Sequence, residues 1–230
     1  MTSPDSGENS DQTPDADLRA DAARNRDRIL AAARRLYATA GLGVPMAAVA
    51  REAGVGKATL SRRFATREEL INAVFADRMD AYAAAVTTAL AEPDPWHGFT
   101  RYIHDICAMQ AADRGFADVL TMTFPAAKAL EARRAQAYDG LLTLIEGAKG
   151  SGRLREDFTH QDVVILLMAN AGVVNATGDA APDTWRRLVA QMLRAYATPH
   201  APLPPLPQAP APTVLYRAMI LLGRTGPTRP

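Results

Sequence analysis

MAAVAREAGVGKATLSRRF, residues 46–64, has the layout of a helix-turn-helix. Val49, Ala50 and Ala53 fall at i, i+1 and i+4, one apolar face of a short helix. Gly54 breaks that helix where a tight turn needs positive φ or a close backbone approach. Val55 is apolar and plugs the turn, and a second short helix follows with Leu60 and Phe64 inward at i and i+4. Lys57, Ala58, Thr59, Ser61, Arg62 and Arg63 are left facing out. A small, basic, hydroxyl-bearing helix face is what the major groove of DNA accepts. The competing reading of any basic face is plain solvated surface. It is preferred for Arg34 and Arg35, whereas the correctly spaced glycine turn favours DNA for Lys57, Arg62 and Arg63.

Charge is distributed in the same sense. The 230-residue chain carries a net charge of only +1. Its first 24 residues are acidic (Asp5, Glu8, Asp11, Asp15, Asp17 and Asp21 against Arg19 and Arg24), and the basic excess sits on residues 25–80, which contain the helix-turn-helix. A basic footprint on one small region is the electrostatic signature of nucleic-acid binding. Apolar residues make up 48% of the chain, enough for a core. The single cysteine, Cys107, excludes an internal disulfide framework and fits a reducing compartment. The N-terminal stretch has no apolar leader, and the longest apolar runs, 163–168 and 213–222, fall short of the roughly 20 residues of a membrane span. The expectation is a cytoplasmic protein with no membrane association.

Outward from the motif the pattern is helical throughout. Ile29, Leu30, Ala33, Leu36, Tyr37 and Ala40 form the face of a first helix that stops at Gly41. Thr66 opens a fourth helix with Glu69 as its capping-box partner, reaching about Leu90. Further helices are read at 96–112, 116–124 and 126–148, with Lys149–Gly152 ending the last of these. Thr159 with Asp162 caps another start, and Pro182 suits the first turn of a helix with a stripe through Trp185, Leu188, Val189, Met192, Leu193 and Tyr196. The fold class is therefore all-α with about nine helices. Residues 1–22 read as a disordered acidic tail and residues 199–230 as a proline-rich tail, in which 213–222 could dock as a short helix or arm and 223–230 should fray. Between them lie a three-helix DNA-binding domain, 23–72, and a helical ligand-binding and dimerisation domain, 73–198.

RILAAARRLYATAG, VPMAAVAREAGVGKATLSRRF and TREELINAVFADRM together resemble the N-terminal domain of TetR-family transcriptional regulators. The resemblance covers about a quarter of the chain, and the C-terminal part fits the family's ligand and dimerisation domain more loosely. It implies a homodimer whose two recognition helices enter successive major grooves roughly 34–36 Å apart on a near-palindromic operator. Gly56, Lys57 and Ala58 match the start of the family's recognition helix. Thr59, Ser61, Arg62 and Arg63 match positions that touch phosphates or bases, and Arg67 matches a common phosphate contact. Pro45 and Met46 begin the preceding helix, whose N-terminus can aim N–H groups at a phosphate. The family usually has Tyr at Ser61 and Thr or Ser at Pro45, so two side-chain contacts differ here.

The resemblance also implies an effector pocket among the middle helices, with Trp96, Phe99, Tyr102, Ile103, Ile106, Met109, Met122 and Phe124 as its lining and a hydrophobic small molecule as its ligand; plain core packing is the alternative for each residue. A dimer interface is expected from Val163, Leu167, Asn170, Val174, Trp185, Leu188, Met192 and Tyr196. His97, His104 and Cys107 do not form a convergent metal set, and no cofactor is expected. No nucleophile motif, phosphate loop or convincing carboxylate pair is present, which argues against an enzyme. The leading reading is a repressor released from DNA by its effector. The alternative is a helical ligand-binding or protein-interaction module that has lost DNA binding.

Overall fold

A computed structural model describes residues 14–225. Among these the chain forms ten α-helices: α1 (Pro14–Ala40), α2 (Met46–Ala53), α3 (Lys57–Arg63), α4 (Arg67–Leu90), α5 (Pro95–Ala112), α6 (Arg114–Thr121), α7 (Lys128–Gly150), α8 (His160–Thr177), α9 (Thr184–Tyr196) and α10 (Pro212–Thr225), with a 3₁₀ turn at Gly178–Ala180. An isolated β-bridge, Leu154 with Ala197, is the only extended pairing among the described residues.

Two of these helices extend beyond the sequence reading. α1 begins at Pro14, so the expected tail is helical from there, while residues 1–13 lie outside the described residues. Pro14 stands at the first helical position, where its missing N–H costs nothing, and Ala16, Ala20, Ala22 and Ala23 favour helix without supplying a hydrophobic stripe. α10 is the tenth helix, formed by the apolar run expected to dock as an arm; it packs on α8, and the fraying end from 226 on lies outside the described residues. Between α9 and α10 the proline-rich segment is non-helical, as proline requires.

The N-terminal unit packs α1, α2, α3 and the start of α4 around Ile29, Ala33, Tyr37, Val49, Leu60, Phe64 and Leu70, all buried. α4 then runs on into the C-terminal bundle, where it packs against α5 and α7. Thr66 accepts the Glu69 N–H at 3.1 Å, and the Glu69 carboxylate accepts the Ala65 N–H at 2.8 Å. At α8 the Thr159–Asp162 capping box is formed, with the Thr159 N–H donating to Asp162 at 2.7 Å.

α6 is the short piece that ties the two units together. Its Gly115 lies so close to α1 and α4 that a Cβ there would stand 2.9 Å from the Tyr37 carbonyl oxygen and from the Phe75 ring. Tyr37 and Phe75 stack with ring centres 6.1 Å apart, and Phe116 adds a third ring at 6.1 Å from Phe75. The Asp118 carboxylate accepts the Leu42 N–H at 2.7 Å, just past the end of α1.

Candidate nucleic-acid interface

The turn between α2 and α3 is a Schellman motif. Gly54 adopts φ 63°, ψ 37°, its N–H donates to the Arg51 carbonyl at 3.1 Å, and the Val55 N–H reaches back to Ala50 at 3.0 Å. Only glycine takes this left-handed conformation without penalty. α1 braces the motif from behind. The Arg28 guanidinium donates to the Gly54 carbonyl at 3.0 Å, Arg35 pairs with Glu52 at 3.0 Å, and the Arg26 guanidinium lies 5.0 Å above the Phe64 ring. Arg35, read from the sequence as plain solvated surface, is exposed and ion-paired with Glu52.

α3 buries Leu60, with Phe64 buried just past its end, and exposes Gly56, Lys57, Ala58, Ser61, Arg62 and Arg63 on the opposite side; Thr59 is half-buried. Among the described residues, the side chains of Lys57, Ser61, Arg62 and Arg63 have no hydrogen-bond or ion-pair partner. Three cations on a seven-residue helix with no counter-charge form a surface that attracts polyanion. Arg67 is exposed as the first residue of α4. The buried Tyr37 phenol feels it: burial pushes that phenol's pKa up, and the Arg67 cation pulls it part of the way back.

Pro45 caps α2 in an extended conformation with no side-chain hydrogen bond. Pro45 is exposed and Met46 half-buried. In the first turn of α2 the Ala48 N–H donates to the Pro45 carbonyl at 2.9 Å, and no side chain caps the N–H groups before it. All ten residues expected at the DNA interface lie on α3 and the adjoining starts of α2 and α4.

The residues expected to line an effector pocket are placed differently from one another. Phe99, Tyr102, Ile103 and Ile106 are fully buried in the bundle, Trp96 and Phe124 nearly so, Met109 is half-buried and Met122 is 48% exposed. Phe99 stacks on Trp96 at 5.8 Å and meets Phe158 edge-on at 5.5 Å. A cavity of about 750 Å³ instead opens between α5, α9 and the proline-rich segment, and of those eight residues it is lined by Trp96 alone. Sequence reasoning missed its polar walls, Arg101, His104, Arg186 and Arg194; the available signal was the polar face of α5 at 97, 100, 101 and 104.

Val163, Leu167, Asn170 and Trp185, expected at a dimer contact, are buried inside the protomer, and Tyr196 nearly so; Val174, Leu188 and Met192 are half-buried. Asn170 donates to the Cys107 carbonyl at 3.2 Å and to Gln110 at 3.0 Å, so it joins α8 to α5. α8 leaves Val164, Ile165 and Met168 exposed on its other side, at 45%, 59% and 54%. α8 is apolar nearly all round, so periodicity marks the helix without marking its inner face. His97 and His104 are exposed and Cys107 is buried, and among the described residues no three His, Cys, Asp or Glu side chains gather as a metal would need.

The sequence matches the family model described as bacterial regulatory proteins, tetR family, over residues 29–74, and a model described as the C-terminal domain of SbtR-like transcriptional regulators over residues 94–194. A TetR transcription regulatory protein from Mycobacterium vanbaalenii is 32% identical, covering 79% of this chain and 99% of its own, with a TM-score of 0.44. The TetR regulator SCO0520 from Streptomyces coelicolor is 29% identical over 76% of this chain and 99% of its own, TM-score 0.47. The fatty acid degradation regulator FadR from Bacillus halodurans, 16% identical over 73% of this chain and 97% of its own, shares the fold at a TM-score of 0.51. None of the curated proteins matches the sequence. The two family models meet the DNA-reading unit and the helical bundle in turn, and the chain belongs to the TetR family of bacterial transcriptional regulators.

Proposed function

We propose that this DNA-binding transcriptional regulator acts as a homodimeric repressor that leaves a near-palindromic operator when a small molecule binds its C-terminal bundle. The observation that carries the DNA half of this reading is the row Lys57, Ser61, Arg62 and Arg63, exposed and unpartnered on α3 behind a Schellman turn. Lys57, Ala58 and Thr59 stand at the start of the recognition helix, where base edges are read. Arg62, Arg63 and Arg67 contact phosphates on either side. Pairing through the exposed apolar face of α8 gives the two-fold symmetry that a palindromic operator matches.

The release half rests on α6. Arg114 donates from Nε to Asn175 of α8 at 2.9 Å and from a terminal nitrogen to the Thr39 carbonyl of α1 at 3.2 Å. Arg134 of α7 donates to the α6 carbonyls of Val119 at 2.6 Å and, just beyond the helix, Met122 at 2.7 Å. A ligand that prefers one arrangement of the bundle thereby biases the position of α1, and with it α2 and α3. The shift it produces equals its differential affinity for the two arrangements.

A mobility-shift titration with duplex DNA from upstream of the coding sequence tests this reading. The wild-type protein is expected to give a discrete complex at low salt, and Lys57→Ala is expected to weaken it. Absence of any complex with that DNA would return the chain to the rival reading of a helical module without operator binding.

A further inference from the structure

The proline-rich segment after α9 is a strap. Proline lacks an N–H, so each proline of such a segment can be held to its neighbours only through its carbonyl and its ring. Three carbonyls are held. Pro202 accepts the Trp96 indole N–H at 3.2 Å, Pro204 accepts Arg194 at 2.7 Å, and Pro207 accepts Arg187. The root of the strap is pinned as well, by the Thr198 N–H on the Arg153 carbonyl at 2.9 Å and the Thr198 hydroxyl on Gly152 at 2.8 Å. Its far end becomes α10, packed on α8.

Beneath the strap, between α5 and α9, lies the cavity of about 750 Å³. That is within the size range of small-molecule sites, about 300–1,000 Å³. Its apolar surface comes from Trp96, Val189, Ala190, Leu193, Leu203 and the prolines of the strap. The charged groups in its walls are mostly neutralised. Arg101 pairs with Glu92 and with Asp105, Arg186 with Asp183, and Asp94 with Arg153. His97 lies 3.4 Å from Glu92 and His104 lies 3.6 Å from Asp105. Arg194 is the exception. Its one hydrogen bond goes to the strap, and among the described residues no carboxylate faces it. A roomy apolar cavity with one uncompensated guanidinium on its rim is built for a molecule that has a single anionic head and an apolar body.

We propose that this strapped cavity is the ligand site of the protein, and that it takes an organic carboxylate with an aromatic or aliphatic body, its head on Arg194 and its body on Trp96, Val189 and Leu193. This deepens the effector reading above and rests on it for the link to DNA, while occupancy of the cavity itself does not.

The test is isothermal titration of the full chain with 2-naphthoate and decanoate, and with their neutral primary amides. At least one carboxylate should bind one per chain, and its amide about tenfold more weakly, the loss expected for one charge-assisted hydrogen bond. Arg194→Gln should remove that preference, and Ala190→Trp, which fills the cavity, should abolish binding of both forms. Leu203→Trp on the strap fills the same space if the α9 variant does not fold. Failure of both carboxylates to bind, or binding unchanged in Arg194→Gln and in the filled variants, overturns the proposal. Binding that obeys these variants while the operator complex stays intact upholds the site and contradicts the effector reading alone.

Discussion

At the scale of single residues, Gly54 carries the turn that presents the exposed face of α3. Its φ of 63° is open to other residues only at a cost of about 1–2 kcal/mol. A Cβ there would meet the Arg28 guanidinium at 2.6 Å, but that group is the end of a flexible side chain and can swing away. Gly54→Ala should therefore lower unfolding stability by about 1–2 kcal/mol in urea denaturation, with the backbone as the cause. Cys107 is fully buried, and burial pushes its thiol up to about 12. It should resist a thiol reagent at pH 8 while the protein is folded and react completely once unfolded. Asp94 caps α5, accepting the Trp96 N–H at 2.9 Å, and the hydrogen bond from the Arg153 guanidinium holds its carboxyl below the usual carboxylate range. A depressed folded-state pKa adds stability that is present above about pH 4 and lost as pH falls through the folded value. Asp94→Asn keeps a competent cap and removes the charge, so its melting temperature should converge on that of the wild type between pH 6 and pH 3.

At the scale of elements, α6 bridges the C-terminal bundle and the N-terminal unit. Asp118→Ala removes the acceptor of the Leu42 N–H and should cost about 1–3 kcal/mol, read by thermal or urea unfolding. The helices themselves were legible because capping residues and apolar stripes coincide: Thr66 with Glu69, Thr159 with Asp162, and the stripe from Trp185 to Tyr196 on α9. The inner face of α8 was not legible. Val163 and Leu167 differ from Val164 and Ile165 only in rotation, and an all-apolar helix gives no sign of which side meets its own bundle. The start of α1 at Pro14 was hidden for a related reason. Alanine-rich sequence is helical by propensity and leaves no hydrophobic period. Its prolines exclude a helix from the strap, yet nothing in a run of prolines says that Trp96, Arg187 and Arg194 will hold its carbonyls.

At the scale of the whole molecule, the proposed reading of a palindromic operator needs two copies of the chain. Ile165→Asp and Met168→Asp place charge on exposed apolar positions of α8, where neither disturbs the protomer core. Together they should give a monomer in sedimentation and weaken operator binding, since one recognition helix reads only half a site. The helix-turn-helix was the most legible part of the chain, because it is a local motif whose spacing is written in nineteen consecutive residues, 46–64. The cavity under the strap was the least legible, because it is assembled from α5, α9 and the strap, about a hundred residues apart in sequence between Trp96 and Leu203. The central claim, that the exposed face of α3 is what grips DNA, is tested most directly by the salt dependence of operator affinity in Arg62→Ala, with Arg34→Ala on α1 as control. Removing one phosphate contact should lower the log–log slope by about 0.9 per subunit for Arg62→Ala and leave it unchanged for Arg34→Ala. An unchanged affinity and slope in Arg62→Ala, or an equal loss in both variants, would contradict it.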